Sequence, residues 1–300
     1  MNTAINILED TLKRIEGNLF GENSLGSIAN SVHVTKYHLL RLFKRVTGCG
    51  ITEYINLRRL SSSLIMLTSS RADIGYVANA HGYATSQAYS KAFRRAFGMP
   101  PSAYRKSPVE LKICDPFNIE LVRSCKGGVL ILPDIKLMPA FSLAGIRHKI
   151  RAKDNIYRAV GMRHAIDFFF TESKSIRKPV SRGKYFGLGL SPEYFTEITE
   201  DEQYVFYMPS LLVDENSVIP DGMVRAYLPA RKYAQFKYTG MHNVLDTGGD
   251  VFYDIWDYIL FKWLPTVRYK EDGHCCFEYI DTARCSDDYC EIDFYLSICE

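Results

Sequence analysis

The first residues of the chain space their apolar side chains by three and four. Ile5, Leu8, Leu12, Ile15 and Leu19 form one stripe, with Glu9, Lys13, Arg14 and Glu16 off it, which predicts an amphipathic helix. A short helix over Leu25–Ser31 follows. Thr35 then stands where a helix needs a side-chain acceptor for its freed amides, ahead of an apolar face made of Leu39, Leu42, Phe43 and Val46, and Gly48 stops that helix. A longer helix over 52–67 turns Ile55, Leu60, Leu64 and Leu67 inward. Beyond it come Ile74, Val77 and Ala78, a turn at Gly82-Tyr83, and a helix capped by Thr85 with Tyr89, Ala92, Phe93 and Ala96 on its core side; Gly98 and Pro100-Pro101 end it.

The second of these patterns repeats the first. A shift of fifty residues lays Thr35 on Thr85, Phe43 on Phe93, Lys44-Arg45 on Arg94-Arg95, Gly48 on Gly98 and Tyr54 on Tyr104. Upstream the shift is one smaller, Ile28-Ala29-Asn30 on Val77-Ala78-Asn79, so one residue was added in the turn. A helix-turn-helix therefore occurs twice, joined by the long helix.

The rest of the chain changes period. Proline and glycine loosen the pattern between Ser107 and Pro139, where a linker and a domain boundary are expected with short strands such as 128–132 left open, and short apolar runs then alternate with helical ones. Strands at 141–146, 185–190 and 203–209 surround a helix at 155–170. The same order returns as a strand at 232–238, a helix at 251–263, and strands at 275–280 and 289–298. The expected architecture is an all-α N-terminal domain (1–108), a linker (109–129) and an α+β C-terminal domain (130–300) built from a duplicated strand-helix-strand-strand unit.

Charge divides the same way. The overall +3 separates into fourteen Lys/Arg against six Asp/Glu over residues 1–108 and twenty-three against twenty-eight over the remainder, so only the first third is polyanion-seeking. No apolar run reaches the ~20 residues of a membrane span and none follows a basic start, which points to a cytoplasmic chain with reduced thiols among its eight cysteines. His274, Cys275, Cys276, Cys285 and Cys290 cluster, but adjacent cysteines lack zinc-ligand spacing, and no metal or cofactor is expected.

An α-helix fits the major groove of duplex DNA with its outward face on the bases. In the first copy that face offers Lys36, Tyr37, Leu40 and Arg41, with Lys44 and Arg45 for phosphates; in the second it offers Ser86, Gln87, Ser90 and Lys91, with Arg94 and Arg95. Gln87 can pair with adenine, and Arg41 or Lys91 with guanine. The two faces differ, so one chain can read an asymmetric site.

At these residues the chain resembles the AraC/XylS family of transcription regulators. The matching positions are Ile74, Val77-Ala78, Gly82-Tyr83, Ser90, Ala92-Phe93-Arg94-Arg95, Phe97-Gly98, Pro101 and Tyr104-Arg105. It departs from the family's multidrug and redox-stress branch at Tyr37, at Leu40 and at Ser61-Ser62-Ser63, so no DNA sequence carries over. A second resemblance, to GyrI-like effector-binding domains, rests on 141–146, on Pro229 to Phe236, on Trp256 to Pro265 and on Phe277-Glu278-Tyr279. It implies an aromatic cleft between the two halves that takes a small apolar or cationic effector, with Glu278 as the carboxylate and Tyr279, Trp256, Trp263, Tyr238, Phe236 and Tyr185 as aromatic candidates. The implied function is an activator with duplex DNA, a small-molecule effector and RNA polymerase as partners. Two alternatives stay open: a hydrolase using Glu278 as general base, and a protein-interaction module.

Overall fold

The computed structural model describes residues 4–69, 71–151, 154, 160–189 and 204–299. The chain divides into two compact units, Met1–Glu120 and Leu121–Glu300.

The first unit is helical. Helix α1 (Ala4–Gly17) buries Ile7, Leu8, Leu12 and Ile15 and leaves Ile5 on the flank of the stripe. The first helix-turn-helix is α2 (Leu25–Ser31) and α3 (Lys36–Thr47); α4 (Ile51–Ser69) is the connector; the second is α5 (Ile74–Ala80) and α6 (Ser86–Phe97), followed by α7 (Pro101–Lys106). Thr35 and Thr85 cap as their sequence positions require, accepting from the amides of His38 at 3.3 Å and Ala88 at 3.1 Å. Gly48 and Gly98 close α3 and α6 with φ of 82° and 76°, a left-handed conformation that glycine adopts at least cost. Ala96, expected on the core side, is exposed.

Helix α4 is held along its length. The Arg58 guanidinium grips the Glu16 carboxylate through both oxygens at 2.9 Å, and Tyr54 Oη donates to the same group at 2.7 Å. Arg59 donates to the carbonyls of Leu19, Gly21 and Gly82, tying the end of α1 to the turn of the second motif. Ser63 Oγ lies 2.8 Å from Tyr89 Oη of α6. Two of the three serines that interrupt the connecting helix, Ser61 and Ser63, are thus in use, because Ser61 Oγ accepts the Cys114 amide at 2.8 Å. That last bond belongs to a strap: Arg58 also holds the Cys114 carbonyl at 2.8 Å, Tyr54 Oη accepts the Phe117 amide at 3.0 Å, and Leu111 packs on the second motif's core. Much of the segment expected as a linker therefore lies against α4.

Among the described residues, the second unit is one antiparallel sheet with two α-helices. Its elements are β1 (Val122–Cys125), β2 (Gly128–Met138), β3 (Phe141–Gly145), β4 (His148–Arg151), α8 (Val160–Phe170), β5 (Lys184–Gly189), β6 (Tyr204–Val213), β7 (Val224–Leu228), β8 (Arg231–Gly240), α9 (Gly249–Asp257), β9 (Lys270–Asp281) and β10 (Cys290–Cys299). Residues 155–159, 190 and 203, assigned from the sequence to the first repeat's helix and strands, lie outside the described residues. The sheet runs β1-β2-β8-β10-β9-β5-β6-β3-β7, with β4 on β6. Each repeat places its last strand between its other two, as β3-β6-β5 and β8-β10-β9, and the halves meet at a β5–β9 seam. This is the expected pseudo-twofold arrangement.

Strands β4 and β7 were not foreseen, and β1 and β2 begin inside the segment expected as linker. Gly127, at φ 73°, makes the tight β1–β2 turn that its sequence suggested was slack. Pro133 has no amide to give, and the β2–β8 register shifts between Ile131 and Asp134. The register then continues from Met138↔Arg231 to Phe141↔Leu228, three residues forward on one strand and three back on the other. Strands β2-β3 and β7-β8 are therefore one long two-stranded ribbon kinked at Pro139 and Pro229. In a flat sheet β2 and β3 would lie ~29 Å apart, six strand spacings, whereas three Cα steps span at most about 11 Å. The sheet must curl on itself.

Candidate DNA-reading helices and effector cavity

The side chains named for groove contact lie on the outer faces of α3 and α6. Lys36, Tyr37, Leu40 and Lys44 are exposed in α3, as are Ser86, Gln87, Lys91, Arg94 and Arg95 in α6; Arg41, Arg45 and Ser90 are half-buried. Leu42, Phe43, Tyr89 and Phe93 are buried on the opposite faces, so period and burial agree. The Arg41 guanidinium donates to Tyr37 Oη at 2.8 Å and sits 5.2 Å from its ring centre, so this pair is braced as a unit. Lys44 with Arg45 and Arg94 with Arg95 fall in the last turns, beside the negative helix ends.

In the second unit α8 and α9 cover the β5–β9 seam and enclose a cavity of about 160 Å³. Its wall repeats the duplication. Helix α8 contributes Met162, Ala165, Ile166 and Phe169; α9 contributes Gly249, Phe252, Tyr253 and Trp256, at the same spacings of three, one and three. The floor is Tyr185, Gly187 and Gly189 on β5 against Cys276, Glu278 and Ile280 on β9, paired residue for residue, with Phe206 and Tyr207 from β6.

The symmetry breaks at the middle pair, Gly187↔Glu278. A side chain at 187 would collide with both Tyr207 Oη and Glu278 Oε2, so glycine here lets these two oxygens press onto the β5 backbone. Glu278 Oε1 accepts from the Trp256 indole at 2.7 Å, while Oε2 is buried without a hydrogen-bond partner. Burial pushes the Glu278 carboxyl up to about 7, against a partial pull downward from the indole bond. Near pH 7 this group is poised between a neutral acid and an anion, with one oxygen in need of a partner.

Family comparisons match this two-part layout. A helix-turn-helix domain model matches residues 28–107 and a GyrI-like small molecule binding domain model matches residues 133–298, more than half of the chain. The chain belongs to the GyrI-like family, with an AraC-type helix-turn-helix domain ahead of it. The right origin-binding protein of Escherichia coli K12 is 28% identical over 243 residues, 78% of each chain. The multiple antibiotic resistance protein MarA of the same organism is 30% identical over 119 residues, 39% of this chain and 94% of MarA. The HTH-type transcriptional activator AarP of Providencia stuartii is 34% identical over 101 residues, 34% of this chain and 75% of AarP.

Within the GyrI-like domain the structure brings Glu278, Trp256 and Tyr185 together at the cavity and places the other four aromatic candidates elsewhere. Tyr279 follows Glu278 on a strand, so it faces the opposite side of the sheet, where it meets Phe186 at 5.0 Å between ring centres. Phe236 and Tyr238 lie on β8, two strands from β9, buried under the far side of α9. Trp263 follows Trp256 by seven residues, which in an α-helix returns to one face. Here the helix widens into a π turn over Tyr258–Trp263, and the extra residue rotates Trp263 by roughly 100° onto Phe236, 4.9 Å away. The sequence reading missed Met162, Ile166, Phe169, Phe206 and Phe252. The i, i+3, i+4, i+7 stripe of α8 was the signal that could have found three of them. Among the described residues, no group of three or more His, Cys, Asp or Glu is placed to hold a metal ion, and no helix is long and apolar enough to cross a membrane.

Proposed function

We propose that this chain is a cytoplasmic transcription activator that reads an asymmetric duplex site with α3 and α6, engages RNA polymerase, and responds to a small apolar cation in the GyrI-like cavity. Glu278 carries the effector assignment: among the described lining residues it is the single charged side chain, buried, with one oxygen unpaired and aromatic faces around it. An aromatic cation supplies the missing charge and stacks on Phe169, Phe252 and Trp256. Two differing basic helix faces in one chain support the asymmetric site, and likeness to the transcriptional activator AarP supports activation.

The test is a mobility-shift titration with a duplex enriched from a random pool by the full chain. Replacing Arg41 and Lys91 together by alanine should weaken binding at least tenfold and narrow the preference for the enriched duplex over a scrambled one. Unchanged binding by the double variant removes the groove assignment. A carboxyl near pKa 7 also has the protonation a general base needs, so the same protein is assayed for ester turnover. Hydrolysis lost in Glu278→Gln would replace the effector reading with an enzymatic one.

A further inference from the structure

Helix α9 and the π turn that continues it carry a second stripe, turned away from the cavity. Asp250, Asp254 and Tyr258 recur at intervals of four, and all three engage β1 or the turn that follows it. Arg123 donates to Asp254 Oδ1 at 3.2 Å and lies 4.3 Å over the Tyr258 ring, while Lys126 pairs with Asp250. These contacts are partly exposed, so they contribute little to stability. Their placement is another matter, because the cavity stripe Phe252, Tyr253 and Trp256 lies on the same three turns of helix. An occupant that shifts Trp256 shifts Asp254 with it.

Strand β1 is also where the chain arrives from the DNA-binding unit. Four residues separate Val122 from Phe117, whose amide is held by Tyr54 of α4, and Cys114 is held on both its amide and its carbonyl by Ser61 and Arg58. Tyr54, Arg58 and Ser61 are successive turns of the helix that sets the spacing of the two motifs, and Ser63 of the same helix touches Tyr89 of α6. Each anchor lies inside its own unit, and the link between them is the covalent chain.

We propose that the effector signal leaves the cavity through the Asp250-Asp254-Tyr258 stripe of α9, passes to β1 through Arg123, and reaches α4 through the Cys114–Phe117 strap. This rests on the reading of the cavity as an effector site. Arg123 is not among the residues that line the cavity and Ser61 lies on α4, apart from α3 and α6, so each belongs to the connection and not to either binding surface. The strap also gives Ser61, a departure from the family pattern, a task.

The experiment uses the full chain, the enriched duplex and methyltriphenylphosphonium, a permanent cation with three phenyl faces. Duplex affinity is measured with and without the cation at pH 8, and cation affinity with and without duplex, since coupling must be reciprocal. In the wild type the two ratios should agree and reach fivefold or more. Arg123→Ala and Ser61→Ala should each bring the ratio below twofold while leaving cation affinity alone and duplex affinity alone within twofold of wild type. Arg123→Lys, which keeps the charge but not the planar contact with Tyr258, should fall between. A wild-type ratio that persists in both alanine variants overturns the proposed route. A wild type that binds the cation with no change in duplex affinity overturns the effector-response reading and the route together.

Discussion

Comparing the wild type with Glu278→Gln across pH should isolate the contribution of one carboxyl to the stability of the second unit. Glu278 is raised from 4.5 to about 7 by burial, so its folded-state pKa lies above its unfolded one. The protonated form therefore favours the fold: the contribution is complete below about pH 4.5 and is lost as pH rises through about 7. A shift of this size, at about 1.4 kcal/mol per unit, corresponds to about 3 kcal/mol between pH 4.5 and pH 8. Glu278→Gln keeps the shape and a hydrogen-bonding oxygen for Trp256 but cannot ionise. The difference in unfolding free energy, wild type minus variant, should then fall by about 3 kcal/mol from pH 4.5 to pH 8, or about 1.5 M in urea midpoint at a slope near 2 kcal/mol/M. The only two tryptophans, Trp256 and Trp263, both lie in this unit, so fluorescence-monitored urea unfolding reports it selectively. Glu271, also raised to about 7, titrates in both proteins and cancels in the difference. A difference that stays constant across the range would refute the burial argument for Glu278.

Three further outcomes follow from the geometry. Calorimetric affinity for a permanent aromatic cation should drop by up to tenfold per pH unit below about 7, and Glu278→Gln should abolish that slope. Gly187→Ala should push Tyr207 Oη and Glu278 Oε2 aside and lower cation affinity several-fold, with the circular dichroism of the sheet retained. Thr35→Ala and Thr85→Ala each remove a helix cap and should cost about 1 kcal/mol in denaturant unfolding of the first unit.

The first unit was legible because its information is local. Caps, glycine stops and apolar stripes at Thr35, Gly48, Thr85 and Gly98 act within a few residues, and the repeat allowed each helix to be read twice. In the second unit the order of elements was equally plain, but β2 pairs with β8 about a hundred residues away in sequence and β7 with β3 about eighty residues away, and such pairings leave no local mark. Glu278 stood out as a charge in an apolar strand. Its neighbour Tyr279 looked equally eligible because pairing decides which face of a strand meets the helices. Trp263 was misplaced for a different reason: a π turn changes the phase of a helix, and nothing in the spacing of two tryptophans announces it. The strap escaped notice because its bonds are made by backbone groups, which every sequence has in equal supply.

The kinked ribbon bears on how the second unit can exist at all. Strand β2 leads into the first repeat but pairs with β8 of the second, while β7 leads into the second but pairs with β3 of the first. Each half thus lends its leading strand to the other, in the manner of two protomers that exchange arms and have since been spliced into one chain. The gene may be cut at the midpoint, but the protein may not: either half alone would carry one borrowed strand too few and one unmatched strand too many. The duplicated strand-helix-strand-strand unit of the sequence is thus a single sheet whose halves depend on each other's strands, and the cavity at its seam exists only once both halves have closed.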